Sequence, residues 1–271
     1  MSAALLRGAP AAQAVKAQAI DICSALSKPP VLAIVRTGSE ADDLAYEKGI
    51  RGACAKCGVT VWTAQLPAYV PQDVLVRSVH RIGLDPSVDG VIVMCPRQYD
   101  AGLIGSAIGA KKDVDGMSFA EGGAFAPCTA AAVMEIIAHY HISCAGKKVT
   151  VVGRGALTGA PIAKLLCDAG AVVSVCCRAT ENPQALCRGA DILVSAAGKA
   201  GLIGADRLSP GQTVIDVGIN PAPGGGICGD VDPLAADIPA ALTPVPGGVG
   251  AVTPYILALH TAQAAQNRGK K

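Results

Sequence analysis

Apolar positions recur at helical spacing across residues 10–27, where Val15, Ile20 and Leu26 mark the pattern, and it stops at Lys28-Pro29-Pro30. Directly after the prolines, Val31–Val35 is a short run rich in β-branched residues, which predicts a buried strand. Residues 41–57 predict a second helix, closed by Gly58, a residue free to adopt the left-handed conformation that ends helices. Strands are predicted at 59–66 and 90–94, with a helix near 71–82 between them. The rhythm then breaks, because residues 111–127 are polar and glycine-rich and mark a candidate inter-domain region. A helix restarts at 129–139, and Lys147–Gly153 is a strand running straight into glycines. Beyond it the pattern predicts a helix (158–169), a strand (172–177), a helix (182–189) and strands at 191–196 and 212–217. A last apolar helix lies near 252–266, and periodicity alone does not place it. Strands alternating with helices predict an α/β fold with a parallel sheet covered by helices, the second half being a Rossmann-like doubly wound unit.

Composition adds mainly exclusions. Of the 271 residues, 51% are hydrophobic and 16% charged, enough to bury a core and too apolar for a disordered chain. The net charge is +2 with both signs interspersed, and aromatics make up only 3%. Neither a basic footprint nor a stacking platform for nucleic acid is visible, and nothing invites an anionic membrane. Ile238–Leu259 is the longest uncharged stretch, but its prolines and glycines exclude a membrane-spanning helix. The N-terminus lacks a charged region followed by a long apolar block, so no secretory signal is expected and the expected compartment is the cytoplasm. Eleven cysteines, most of them in apolar runs such as those of Cys167, Cys176 and Cys177, read as small hydrophobes in a reducing compartment. Cys54-x-x-Cys57 stands without the second pair that a zinc ribbon needs, and a redox use of it stays open. The four histidines offer no metal-ligand spacing beyond His139-x-His141, which reads as structural or solvent-facing, so no metal is expected.

Gly153-Arg154-Gly155-Ala156-Leu157-Thr158-Gly159 follows a predicted strand and opens a predicted helix. Its G-x-G-x-x-x-G spacing is one residue longer than the usual dinucleotide fingerprint, so its context carries the reading: a tight turn, close backbone approach, and open N–H groups for a pyrophosphate. The next strand, Val172–Cys177, ends in Arg178, with no acid until Glu181. An acid there would suit the ribose 2′-OH of NAD, whereas an arginine suits a 2′-phosphate, so NADP is expected over NAD. Arg154 is a second candidate phosphate partner, and the plainer reading of Arg178 is a surface residue in a loop. Ser195–Gly198 and Gly218-Ile219-Asn220 end strands of the same half, and ligands bind outside such carboxyl ends. Ile219 therefore joins Gly153, Arg154, Gly155, Gly159 and Arg178 as an expected cofactor contact.

Several stretches taken together resemble the bifunctional methylenetetrahydrofolate dehydrogenase/methenyltetrahydrofolate cyclohydrolase family (FolD type). They are Lys112-Asp113-Val114-Asp115-Gly116, Pro127-Cys128-Thr129, Val151–Arg154 with Gly159 and Pro161, Val214–Asn220, Gly229-Asp230-Val231-Asp232 and Thr243–Gly250. The resemblance runs from Leu5 to the last helix. It implies two α/β domains with a cleft between them: a folate-binding domain at 1–124 joined by the C-terminal helix at 252–271, and an NADP-binding domain at 125–251. It also implies a cytoplasmic homodimer acting on tetrahydrofolate derivatives, moving a hydride from 5,10-methylenetetrahydrofolate to NADP. The family's folate contacts carry over to Tyr46, Asp115 and the Pro246-Gly247-Gly248 turn, with Tyr46 and Asp115 as the residues nearest the chemistry.

The family also places a Lys four residues after the Tyr, on the same helix face. Here that position is Ile50; Lys48 points to nearly the opposite side of a regular helix, and Arg51 is off the face. The family Gln that supports the Lys is replaced by Met94, in Val93-Met94-Cys95-Pro96. The two losses are coherent, since an amide with no ammonium to hold would be a buried group lacking a partner. Hydride transfer needs positioning and favourable charge, which Tyr46 and Asp115 can supply. Hydrolysis of the methenyl bridge needs an acid/base group, whose loss costs ~10²–10⁴-fold. The expectation is a dehydrogenase with cyclohydrolase activity weak or lost. The alternatives are a fully bifunctional enzyme with catalysis relocated to Lys48 or Arg51, and a catalytically silent paralogue that binds nucleotide or folate. The plainer reading of Asp115 is a turn cap, a task that suits Asp113 better; that of Tyr46 is a core tyrosine.

Overall fold

The computed structural model describes residues 2–94 and 98–268. The chain begins with β1 (Ala4–Leu5), α1 (Gly8–Ala25), β2 (Val31–Thr37), α2 (Ala41–Cys57), β3 (Thr60–Leu66), α3 (Gln72–Leu84) and β4 (Gly90–Met94). Then come α4 (Ala101–Ile108), α5 (Cys128–His139), β5 (Lys148–Val152), α6 (Gly159–Asp168), β6 (Val172–Cys176), α7 (Pro183–Arg188) and β7 (Ile192–Ser195). The last elements are β8 (Thr213–Asp216), β9 (Asn220–Pro221), β10 (Ile227–Cys228), β11 (Ala241–Leu242) and α8 (Thr253–Gln266). The chain divides into two compact units.

One unit holds Gln13–Cys128 and the segment from Pro254 onward. Its sheet is parallel, in the order β3-β2-β4. Side chains alternate across the central strand. Ala33 and Val35 join Leu75, Val79, Val91, Val93 and Ile104 in a core beneath α3 and α4, while Arg36 points to the opposite face and meets α2. Gly58 ends α2 at φ 82°, in the left-handed conformation. At the start of the candidate inter-domain region at 111–127, Val91 N–H donates to the Lys112 carbonyl at 2.8 Å and a parallel bridge joins Val91 to Asp113 beside β4; the chain passes to the other unit just after the region, at Thr129. The position of α8, which periodicity left open, is in this unit, where His260 meets Val114 and Arg268 pairs with Asp89. Val93 and Met94 are buried in β4, whereas Cys95 and Pro96 of the same run lie outside the described residues.

The other unit holds the chain up to Ala12 together with Thr129–Thr253. Its six strands run in the order β1-β11-β8-β7-β5-β6, all paired in parallel. From β5 the chain crosses through α6 to β6 on one side and then returns through α7 to β7 on the other, so a topological switch point falls between β5 and β7. The chain up to Ala12 therefore sits with this unit and not with residues 13–124, because Ala4 and Leu5 pair with Ala241 and Leu242. A two-residue strand leaves no hydrophobic period to read.

Candidate active site

Asp42 and Asp43 in the first turn of α2 complement its dipole, and the helix runs unbroken through Gly49 and Gly52. It buries Glu47, Ile50, Ala53, Cys54 and Cys57, a face built on steps of three and four. Tyr46 lies beside that face, with 38% of its surface exposed. Four residues on, Ile50 is fully buried, and Lys48 faces solvent without an ion pair among the described residues. Arg51 is spent elsewhere. Its Nε meets Glu47 Oε1 at 2.9 Å, Nη1 donates to the Val61 carbonyl at 3.0 Å, and Nη2 donates to Thr63 Oγ1 at 2.6 Å. Glu47 also receives Arg36 Nε at 2.9 Å and the Thr63 hydroxyl at 2.6 Å, and Arg36 donates onward to the Gly38 carbonyl. Burial works to raise the Glu47 pKa, but the hydrogen bonds from Thr63, Arg36 and Arg51, with the Arg51 charge, hold it below its usual value.

Asp113 and Asp115 divide their work as their surroundings dictate. Asp113, 1% exposed, accepts from Gly116 N–H at 3.1 Å and from Ser118 N–H and Oγ at 2.6 Å each, so it is the carboxylate that caps the turn. Gly116 permits that turn at φ 76°, and a Cβ there would press on the backbone of Ala126 and Pro127. Asp115 is left for other use. Burial and the Asp113 charge push its carboxyl up to about 7, while the neighbouring Cys128 thiol acts the other way. Burial, then Asp115 and Cys128, push the Tyr46 phenol well above its usual range, so Tyr46 and Asp115 share one neighbourhood. Two members of it went unforeseen. Cys128 opens α5, donates to the Val114 carbonyl at 3.4 Å, and is kept protonated by burial and by Asp115. His260, 8% exposed, places Nδ1 at 2.9 Å from the same carbonyl and stacks on Phe125 with ring centroids 4.8 Å apart. A carbonyl only accepts, so Nδ1 carries the proton; burial lowers the imidazole pKa against the pull of Val114 and Asp113. The signals were a polar residue in the apolar run Leu257–Ala262 and a cysteine inside Pro127-Cys128-Thr129.

In the other unit the glycine turn has the physical parts of a nucleotide cradle. Gly153 takes φ 112° and packs on the Ala196 carbonyl; Gly159 lies against the Gly153 carbonyl, so a side chain at either would collide with backbone. Gly155 has open space where a Cβ would be. Thr158 makes no side-chain cap to α6 and no acid lies in the first turn, which leaves the helix N-terminus available to an anion. Arg154 and Arg178 are exposed, and Arg154 lies close enough to Cys177, at the end of β6, to help lower its thiol pKa after the hydrogen bonds from Ala179 and Thr180. Ile219 is 64% exposed beyond the end of β8. The glycine turn, the open helix N-terminus, the exposed Arg154 and Arg178 and the exposed apolar Ile219 are donors and surfaces of the kind NADP would need. The Pro246-Gly247-Gly248 turn also belongs to this unit; Gly247 takes φ 100° with open space around it, and Gly248 packs on Gly8.

Every described cysteine is free. Burial chiefly pushes Cys54 up to about 12 and Cys23 to about 11, so these thiols stay protonated at neutral pH, which weighs against redox use of Cys54 and Cys57. Cys167 is exposed and Cys177 half-buried, so neither is a core hydrophobe; Cys167 falls on the outer face of α6, between buried Leu166 and exposed Asp168. Among the described residues no helix is long and apolar enough to cross a membrane, and no three potential ligands gather for a metal ion.

Two family profiles match the chain: the tetrahydrofolate dehydrogenase/cyclohydrolase catalytic domain over residues 6–115, and the NAD(P)-binding domain of the same enzymes over residues 127–269. The bifunctional protein FolD of Clostridium kluyveri is 36% identical over 280 residues, covering 98% of this chain and 99% of the relative. The bifunctional FolD of Campylobacter jejuni superposes with a TM-score of 0.91 at 32% identity, over 98% of this chain and 100% of its own. The Trypanosoma brucei FolD, solved with NADP cofactor and inhibitor, gives 0.91 at 32% identity over the full length of both. Similarity of this extent in both halves shows that the chain belongs to the tetrahydrofolate dehydrogenase/cyclohydrolase family.

Proposed function

We propose that the protein is an NADP-dependent 5,10-methylenetetrahydrofolate dehydrogenase whose cyclohydrolase activity is weak or lost. The observation that carries this reading is buried Ile50 at the position of the family lysine, with Arg51 bound to Glu47, Val61 and Thr63 and Lys48 on the solvent side. NADP would supply the hydride acceptor; Gly153, Gly155 and Gly159 would form the turn that holds it, Arg154 and Arg178 would partner its phosphates, and Ile219 would offer it an apolar contact. Tyr46, whose phenol burial and the Asp115 charge keep protonated well above its usual range, packs on the substrate and fixes its angle. Asp115 holds the pterin, and the Pro246-Gly247-Gly248 turn lends a close backbone surface. Loss of a hydride leaves a methenyl cation. An apolar Ile50 sets no positive charge against that cation, and the ionised form of Asp115 favours it. Water addition to the same bridge would need an acid/base group at the family lysine's position, which buried Ile50 does not supply. The reading includes a cytoplasmic homodimer; sedimentation at several concentrations tests the dimer, and cell fractionation the compartment.

Supplied with 5,10-methylenetetrahydrofolate and NADP, the protein should produce NADPH and methenyl-folate together, each followed at its own wavelength. The methenyl product should decay no faster than in an enzyme-free control. Rapid enzyme-dependent decay would overturn the loss of the hydrolase and favour full bifunctionality, the activity in the names of the similar proteins. Folate binding without NADPH would mean a silent paralogue.

A further inference from the structure

Asp230 is fully buried and has no cationic partner among the described residues, yet it accepts five hydrogen bonds. Oδ2 receives Ser195 Oγ at 2.8 Å, Ala197 N–H at 2.9 Å and Gly198 N–H at 3.2 Å. Oδ1 receives Lys199 N–H at 2.8 Å and Asn220 Nδ2 at 3.0 Å. Ala197, Gly198 and Lys199 are consecutive residues of the loop that leaves β7, and Asn220 opens β9. Three successive N–H groups form a concavity that ordinarily takes an anion. Here a carboxylate of the same chain fills it from the buried side, while the outer surface of residues 197–199 stays exposed. The carboxylate is itself held: Asp230 N–H and Val231 N–H donate to Asp216 at 3.0 and 2.9 Å. Two glycines make room for the pair, since a side chain at Gly218 would collide with the Asp230 carboxyl and one at Gly229 with that of Asp216.

The place of this clamp along the sheet gives it a task. The switch point lies between β5 and β7, with the glycine turn after β5 and Arg178 after β6. A dinucleotide laid across that point has its adenosine half over β6 and its other half over β7 and β8. Resting on the reading of the protein as an NADP enzyme, we propose that Asp230 is a positioning residue for the nicotinamide half of the cofactor. It fixes Ala197–Lys199 and Asn220 as one surface without touching the cofactor itself.

The test compares Asp230→Asn with the wild type by calorimetric titration with two probes, NADP and 2′,5′-ADP, the latter carrying only the adenosine half. The amide cannot accept at its nitrogen, so part of the N–H set is orphaned. NADP affinity should fall by about 10-fold or more, while 2′,5′-ADP affinity stays within about twofold. Equal weakening of both probes would assign Asp230 a general structural role and overturn the proposal, as would no change in either. If Asp230→Asn does not fold, Asn220→Ala removes one side-chain amide, with its bonds to Asp230 and to the Gly229 carbonyl, and should give the same selective loss on a smaller scale. Wild-type protein that binds neither probe overturns the cofactor reading as well, and that failure is visible before any variant is compared.

Discussion

Glu47→Ala removes the carboxylate on which Arg36 and Arg51 converge and leaves Arg36, 5% exposed, with the Gly38 carbonyl. Stranding one member of a buried ion pair costs about 3–5 kcal/mol. The Arg51 arm, whose side chain is 42% exposed, adds at most about 1 kcal/mol. The expected loss is therefore that of the Arg36 arm, and at typical urea slopes it moves the unfolding midpoint on the order of 2 M. The single tryptophan, Trp62, lies in β3 between Val61 and Thr63, so its fluorescence follows this unit directly. Replacing both partners with apolar residues, Arg36→Met with Glu47→Leu, should recover most of the loss, because no charge is left buried alone. A midpoint shift below about 0.5 M for Glu47→Ala would refute the argument, as would a double variant no more stable than the single one. The Glu47 pKa is lowered by folding, so its stabilisation is complete above the unfolded value of 4.5 and fades as pH falls through the lower folded value. In acid, wild type and double variant should converge.

Other predictions concern the reaction and the cofactor. With Asp115 titrating at about 7, kcat/KM for the folate substrate should rise with pH through that value and then level. Asp115→Asn should abolish this limb and lower the rate by ~10²-fold, and an unchanged profile would remove Asp115 from the chemistry. Arg178→Ala should raise KM for NADP about 10-fold while leaving KM for NAD unaltered, because the lost partner is the 2′-phosphate alone; equal effects on both would make Arg178 a plain surface residue. Gly159→Ala drives a methyl into the Gly153 carbonyl and should cost about 1–3 kcal/mol in thermal unfolding with weaker NADP binding, so wild-type affinity would sink the packing account.

Much of the scaffold was legible because each long strand announces itself locally. Val31–Val35, Val149–Val152 and Ile192–Val194 are apolar runs of strand length, and Gly58 and Gly153 sit where left-handed or crowded backbone needs them. What escaped is what depends on distant partners. β1 and β11 are two residues each; β1 exists by pairing with β11, and β11 by lying between β1 and β8. α4 was hidden by Gly102 and Gly105, which lower helix propensity; Gly105 is there because Ser118 N and Met117 pack against it, and Asp100 caps the helix by accepting from Leu103 N–H at 3.1 Å. At the site, Ile50 was readable from spacing, but the fate of Arg51 was not. The Glu47–Arg51 step of four was a visible hint, as was Arg36 at the end of an apolar strand, yet only folding brings Val61 and Thr63 to them. Asp230 stood in a recognisable run, but nothing local says that the loop after β7 closes on it.

The order in which the chain visits its two units bears on how it is made. It contributes β1 to the nucleotide-type sheet, leaves after Ala12 to build the tyrosine-bearing unit, returns at Thr129, and departs again at Thr253 for α8. On a ribosome releasing about 5–20 residues per second, β1 waits unpaired until Ala241 emerges, and the β4 face waits for His260 and Thr261. Neither unit can finish before nearly all of the chain has been synthesised. A nascent chain stalled short of α8 would carry an open apolar seam along Gly90 and Val114, a natural target for chaperones, and a premature stop in the last helix would damage the first-built unit rather than the one just completed.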